Sequence, residues 1–291
     1  MRLGNLAGRL TLFVDGGMHD VHTVSRGKYG PDPRGVYEVW DEFRNWVTAA
    51  VLPTPSEYDP LRLGPPSPLP AQVFAIGLNY RSHAAEANSP YTDVFPLVFT
   101  KFPTSITGPN AAVVLPDGGE TDWEVELVAI MGRRAENVSA DQAWDYVAGL
   151  TVGQDISERK LQMAGPAPQF SMGKSYPGFS PTGPWLVTPD ELDNPDDLEI
   201  TCAVDGETMQ QARTSDLIFS VPRLIQLLSA VTPLLPGDLI FTGTPSGVGV
   251  GMVPPRYLRD GEELVSRIEG IGDIRQTFLA RPDISRTAPV G

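Results

Sequence analysis

The chain has one cysteine, Cys202, among 291 residues. A lone thiol excludes an intrachain disulfide and any cluster of several thiolates on a metal. Cys202 sits in the alternating segment Leu198-Glu-Ile-Thr-Cys-Ala-Val204, which reads as a strand with the thiol as a small core residue. Cations are also scarce: 22 Lys and Arg stand against 36 Asp and Glu, a formal charge of −14. That balance argues against nucleic acid or an anionic membrane as partner. A small anionic substrate stays open, because a local cluster of Arg, Lys and metal overrides the global field. No apolar run reaches the ~18 residues of a membrane helix, and the N-terminal stretch has no signal-like apolar core. Cytoplasm is the expected compartment.

Proline and glycine are plentiful, 29 of each. Seven of the prolines fall in the eighteen residues Pro53–Pro70, a composition suited to a linker or an extended crossing segment. The expected organisation is a small N-terminal α+β domain over residues 1–70, a catalytic domain over 71–285 and a tail over 286–291. The N-terminal part carries a strand at Leu10–Val14, a turn at Gly16-Gly17 and a helical stretch near Val36–Val51. Beyond Ala71 short apolar strands are punctuated by Gly and Pro, so this part is mainly β. Ser139 with Gln142 reads as a capping box opening a helix that Gly149 ends. Leu217–Leu228 reads as a second helix, with Pro222 at its start or at a kink.

The most informative stretch is Trp123-Glu-Val-Glu-Leu-Val-Ala-Ile-Met131. As a strand it puts Glu124, Glu126, Val128 and Ile130 on one face. Trp123, Val125, Leu127, Ala129 and Met131 take the other. Two like charges on such a strand are costly unless a cation lies between them or the strand begins at a solvated rim. Asp155 follows the strand-like Leu150-Thr-Val-Gly153 and can join the two glutamates or cap the helix expected over Ile156–Gln162. Three carboxylates suit a hard ion, Mg²⁺ or Mn²⁺, with Ca²⁺ admitted by the same donors. Zinc suits them less, without several Cys or His. His83 and Glu86 are spaced as neighbours on one helix face, an arrangement that serves a general base and equally a solvated helix start. His19 and His22 lie in a polar stretch and carry no assignment. Arg159 and Lys174 are either surface cations or anchors for a substrate carboxylate. The glycine-rich Gly243-Thr-Pro-Ser-Gly-Val-Gly-Val-Gly251 is not a nucleotide loop, since neither Gly-Lys-Ser/Thr nor a helix start follows. An anion site with Thr244 remains open.

In this order the pieces resemble the fumarylacetoacetate hydrolase family. The matching segments are Gly77-Leu-Asn-Tyr-Arg-Ser-His-Ala-Ala-Glu86, Asp122-Trp-Glu-Val-Glu-Leu127, Gln154-Asp-Ile-Ser-Glu-Arg-Lys-Leu-Gln162, Gly173-Lys-Ser175, Gly183-Pro-Trp185, Pro236-Gly-Asp-Leu-Ile-Phe-Thr-Gly-Thr-Pro-Ser-Gly-Val-Gly249 and Glu269-Gly-Ile-Gly272. They run from Gln72 to Phe278. The resemblance implies a mixed β-sandwich or β-roll catalytic domain, usually a homodimer. It implies Mg²⁺ or Mn²⁺ on Glu124, Glu126 and Asp155, and a general-base dyad at His83 and Glu86 on a segment that often closes as a lid. It implies substrate contacts from Arg159, Gln162, Lys174 and Thr244, with Lys174 also counted among the catalytic residues.

The implied chemistry is C–C hydrolysis of a 2,4-dioxo acid of acylpyruvate or fumarylpyruvate type. Decarboxylation or isomerisation of oxaloacetate or 2-hydroxy-dienedioate acids is the alternative with nearly the same residues. A catalytically silent metal-binding protein is the rival from another class. The chain departs from the common pattern at Pro177, Glu158 and Gln154. Glu158, beside the expected pocket, is expected to disfavour a dianionic substrate.

Overall fold

The computed structural model describes residues 1–88 and 93–281. The expected tail, 286–291, lies outside the described residues. Strand Val125–Met131 is buried along its whole length, with neighbours on both edges and both faces. One edge pairs antiparallel with Val147–Gln154, setting Val125 opposite Gln154 and Glu126 opposite Gly153. The other pairs antiparallel with Leu239–Phe241, which runs parallel to Val73–Gly77. The large sheet continues outward to Leu97–Thr100 on that side. On the other side it passes through Ser180–Val187 to Arg2–Leu6, Arg9–Val14 and Gly17–Asp20. Thus the first strands of the chain extend the same sheet that holds the central one. Within Pro53–Pro70, Leu63–Gly64 adds a short strand to Arg2–Leu6, and Ser56 bridges to Met18.

The faces of the central strand divide as its alternation predicts. Val125, Leu127, Ala129 and Met131 join a core with Leu150, Ile200, Leu264 and Ile274. Ile200, Leu264 and Ile274 come from a second, five-stranded sheet, Glu207–Arg213, Glu199–Val204, Glu263–Ile268, Gly272–Leu279 and Asn110–Val114. Two mixed sheets therefore share one apolar layer, and Cys202 lies inside it as a buried free thiol. Val128 and Ile130 join a second core with Trp40 and Phe43 of helix Trp40–Ala49. The arrangement is helix, large sheet and small sheet, the mixed β-rich architecture that the family resemblance implies.

Two sequence readings are corrected. Ser139 opens only a 3₁₀ segment, Ala140–Tyr146, and its hydroxyl bonds to the Gln142 side chain without capping the backbone. Gly149 ends no helix; it lies within strand Val147–Gln154. A glycine is needed there for proximity. An added Cβ would lie 2.5 Å from Leu186 and 2.6 Å from the Val187 carbonyl oxygen, a backbone atom that cannot step aside. Gly149→Ala is expected to destabilise the fold by about 1–3 kcal/mol, the usual cost of overpacking. Urea denaturation reads this directly, and an unchanged midpoint would refute it. The helix expected from Leu217 begins at Val221, with Pro222 in its first turn, where a missing N–H costs nothing.

Candidate active site and metal centre

Glu124, Glu126 and Asp155 are all buried, and each offers a carboxylate oxygen within 4.8 Å of the others. Sheet register brings them together. Glu124 precedes strand Val125–Met131 and Asp155 follows Val147–Gln154; the Asp155 N–H donates to the Glu124 carbonyl at 2.9 Å. Gln154 fixes the same corner. Its Oε1 accepts from the Glu124 N–H at 2.8 Å and its Nε2 donates to Ser266 Oγ at 2.8 Å. Glu126 accepts from the Gly243 N–H at 2.7 Å. Gly243 takes φ +104°, a conformation that favours glycine and turns the 243–251 loop toward the acids.

Three cations meet this cluster. Lys174 Nζ lies 2.8 Å from Glu124 and 2.6 Å from Asp155. Arg159 lies 2.7 Å from Glu124 and 2.7 Å from Asp122. The third, Lys101, pairs with Asp155 and donates to the Lys174 carbonyl at 2.5 Å. Lys101 and Asp122 had no assigned role in the sequence reading. Both left a signal. Lys101 shares strand parity with the buried Phe99, and Asp122 continues the alternation of Glu124 and Glu126. Asp122 also accepts from the N–H groups of Trp123, Gly249 and Val250, so it ties the glycine-rich loop to Arg159.

The surroundings push these groups in opposite directions. Burial raises the Glu124 carboxyl, but Lys174, Arg159 and His83 outweigh it and hold it down to about 2. Glu126 is raised well above the usual range by burial and by the negative Asp155 and Glu124. Burial lowers Lys101; Asp155 opposes the shift and Lys174 adds to it, leaving it below an ordinary lysine. Lys174 is raised, because Asp155 and Glu124 outweigh its burial.

Hard oxygen donors converge here, and among the described residues no cationic side chain forms an ion pair with Glu126. That donor set fits a divalent ion such as Mg²⁺ or Mn²⁺. A ligand carboxylate must be ionised, so a proton on Glu126 competes with the ion. Ion affinity is therefore expected to rise with pH up to the raised Glu126 pKa and to level off above it. Calorimetric titration with Mn²⁺ in buffers of different ionisation enthalpy should show about one proton released per ion below that point. Release of none, with pH-independent affinity, would contradict it.

A cavity of about 370 Å³ opens onto the cluster. His83, Glu124, Arg159, Gln162, Lys174 and Thr244 all line it. His83 Nδ1 lies 2.9 Å from Glu86 Oε2, and Glu86 Oε1 accepts from the Gly247 N–H at 2.9 Å. Helix Arg81–Glu86 is thus latched to the glycine-rich loop. Gln162 accepts from Arg159 at 2.9 Å. Thr244 Oγ1 accepts from Gln210 Nε2 at 2.8 Å, which leaves its hydroxyl hydrogen free to donate.

Glu158 has a different place from the one expected. Its carboxylate caps the short helix Arg159–Gln162 by accepting from the Lys160 and Leu161 N–H groups, and it also accepts from Glu120 N–H. The helix begins at Arg159, not Ile156, and Glu158, not Asp155, is its cap. With its oxygens spent on backbone donors, Glu158 is not among the residues lining the cavity. Pro177 lines a separate cleft with Tyr176 and Arg281.

Residues 72–279 match the family model described as fumarylacetoacetate (FAA) hydrolase C-terminal. The chain is 42% identical over 206 residues to the mitochondrial oxaloacetate tautomerase FAHD2A of Bos taurus, covering 70% of this chain and 65% of that protein. It therefore spans slightly under two thirds of that relative. A Mycobacterium smegmatis protein provisionally named HpcE superposes with a TM-score of 0.92 at 53% identity, covering 96% of this chain and 99% of the other. Maleylpyruvate hydrolase from Sphingobium sp. SYK-6, solved with manganese(II) and pyruvate, superposes with a TM-score of 0.73 at 26% identity, covering 96% and 99%. The buried acid triad, the mixed sheets around it and a family match over most of the chain lead to one conclusion: this protein belongs to the fumarylacetoacetate hydrolase family.

Proposed function

We propose that the protein is a divalent-metal-dependent hydrolase that cleaves a C–C bond in a small 2,4-dioxo acid of the acylpyruvate type. One observation carries this reading: the cavity that exposes Glu124 of the acid triad also exposes a histidine already oriented by a carboxylate. Glu124, Glu126 and Asp155 would hold the ion. When bound, it would polarise the 2-oxo group and stabilise negative charge developing on that oxygen.

The chain's own residues supply the rest. With Nδ1–H donated to Glu86, His83 presents a basic Nε2 that can take a proton from water attacking the C4 carbonyl. Glu86 stabilises the imidazolium so formed, and the Gly247 N–H keeps Glu86 in place. Thr244 donates its free hydroxyl hydrogen to a substrate oxygen. Arg159 and Lys174, charged and buried at the wall, attract the substrate carboxylate, and Gln162 fixes the Arg159 plane.

A second reading, keto–enol tautomerisation of a 2-oxo acid, is favoured by the similarity to oxaloacetate tautomerase. It needs the same ion and a proton-moving His83, but no attacking water. Products decide between them. Acylpyruvates and oxaloacetate are incubated with the protein, with and without Mg²⁺ or Mn²⁺. Release of pyruvate and a carboxylic acid from an acylpyruvate is the expected result. Loss of the enol absorbance of oxaloacetate without any cleavage would replace hydrolysis with tautomerisation. We further propose a cytoplasmic homodimer. The exposed apolar residues Phe95, Leu97 and Val98 at the sheet's edge support the dimer, and sedimentation of the purified protein tests it. Among the described residues no helix is long and apolar enough to cross a membrane.

A further inference from the structure

The cavity is lined by a few charged side chains and a largely apolar remainder. Its cationic side chains are Arg159, Lys174 and, when protonated, His83, and each already faces a carboxylate. Leu78, Phe99, Met163, Phe170 and Val250 form much of the remaining wall. Phe99 and Phe170 meet edge to face with centroids 5.5 Å apart, and Lys174 Nζ lies 5.0 Å from the Phe99 centroid. The aromatic pair therefore lies beside Lys174, within reach of the tail of a substrate whose carboxylate that lysine attracts. Met163 is exposed.

We propose that this site selects substrates whose far end is neutral and apolar, in preference to acids carrying a second, distal carboxylate. The inference rests on the reading of the cavity as the 2-oxo acid site. A 2-oxo carboxylate held at the acid cluster leaves the rest of the molecule against Leu78, Phe99, Met163, Phe170 and Val250. An apolar tail gains burial there with each methylene added. A distal carboxylate would lose water, and among the described residues that wall offers no unpaired cation to replace it, a cost that burial of an unpaired charge always carries. Oxaloacetate and maleylpyruvate, named for two of the relatives, both carry such a second carboxylate. The selectivity therefore sets this chain apart from the substrates in those names.

The test uses a matched pair, 2-oxohexanoate and 2-oxoadipate, which have equal carbon number and differ at the end in methyl or carboxylate. Binding to the Mn²⁺-loaded protein is measured by calorimetry, so no turnover is required. The neutral acid is expected to bind at least tenfold more tightly. In Met163→Arg, a change at an exposed position, 2-oxoadipate is expected to gain at least threefold while 2-oxohexanoate does not. Equal or tighter binding of 2-oxoadipate by the unaltered protein overturns the proposal, as does failure of both acids to bind. The product assay with acylpyruvates separately decides the reaction. Cleavage combined with a preference for the dicarboxylate would reject the selectivity and leave the hydrolase reading intact.

Discussion

Asp155→Asn is expected to weaken divalent-ion binding by more than the ~10–100-fold typical of losing an outer-shell partner, since here an ion-binding oxygen itself loses its charge. It is also expected to destabilise the metal-free protein by about 3–5 kcal/mol, the scale for breaking a buried ion pair. The size follows from where Asp155 sits. It is fully buried and faces two equally enclosed ammonium groups, Lys101 on one oxygen and Lys174 on the other. Lys174 keeps Glu124 as a partner after the change, but among the described residues Lys101 is left with a carbonyl and the ring face of Phe241. The unpaired Lys101 charge should therefore account for most of the lost stability. Adding Lys101→Met to the variant is expected to recover much of it without restoring ion affinity. Chemical denaturation and Mn²⁺ titration of the single and double variants read the two effects apart. Undiminished ion affinity in Asp155→Asn would remove Asp155 from the metal centre. Equal instability of the two variants would show that the lysine is not the cause.

His83→Gln is expected to lower kcat by about 10²–10⁴-fold, the usual share of a general base, while leaving ion affinity nearly unchanged. The contrast with Asp155→Asn comes from position. His83 lies on helix Arg81–Glu86 across the cavity wall, held by Glu86 and outside the group of acids that converge on the ion site. Only partly buried, it can be replaced without leaving an enclosed charge unpaired. Glu86→Gln should give a smaller loss, because the ring would keep its place but lose the charge that stabilises the imidazolium. Steady-state kinetics with an acylpyruvate, alongside Mn²⁺ titration, provide the comparison. If His83→Gln loses the ion instead, His83 belongs to the metal shell. If its kcat is unchanged, another group moves the proton.

The metal-site residues were legible because their signal is local. Alternation along 123–131 states which side chains share a face, and a pleated strand can realise only that division. The two cores follow it: Leu127 and Ala129 enter one, Val128 and Ile130 the other. The family resemblance then pointed to Asp155, His83, Glu86, Arg159, Gln162, Lys174 and Thr244. All except Asp155 and Glu86 line one cavity, while Asp155 joins the acid triad and Glu86 holds His83 from behind. Lys101 was overlooked because its parity with Phe99 marks only burial; Asp155, the partner that gives it a role, is 54 positions away. Ser139 and Gly149 misled for a related reason. A capping pattern and a glycine are compatible with a helix end, but the glycine met a different demand, room for Leu186 on the neighbouring strand.

The sequence by itself determined the strand faces, the donor types around a hard cation and the order of motifs that marks the family. These depend on backbone period and side-chain chemistry, which neighbouring residues already specify. Only the tertiary structure decided how the charges balance. It placed Lys101 on Asp155, gave Arg159 a second carboxylate in Asp122, and turned Glu158 away as a helix cap. It also joined the N-terminal strands to the sheet of the site, pairing Leu3 with Leu186. Register between distant strands sets each of these contacts, and register is a property of the packed sheets, which fit together only when every apolar face finds its partner.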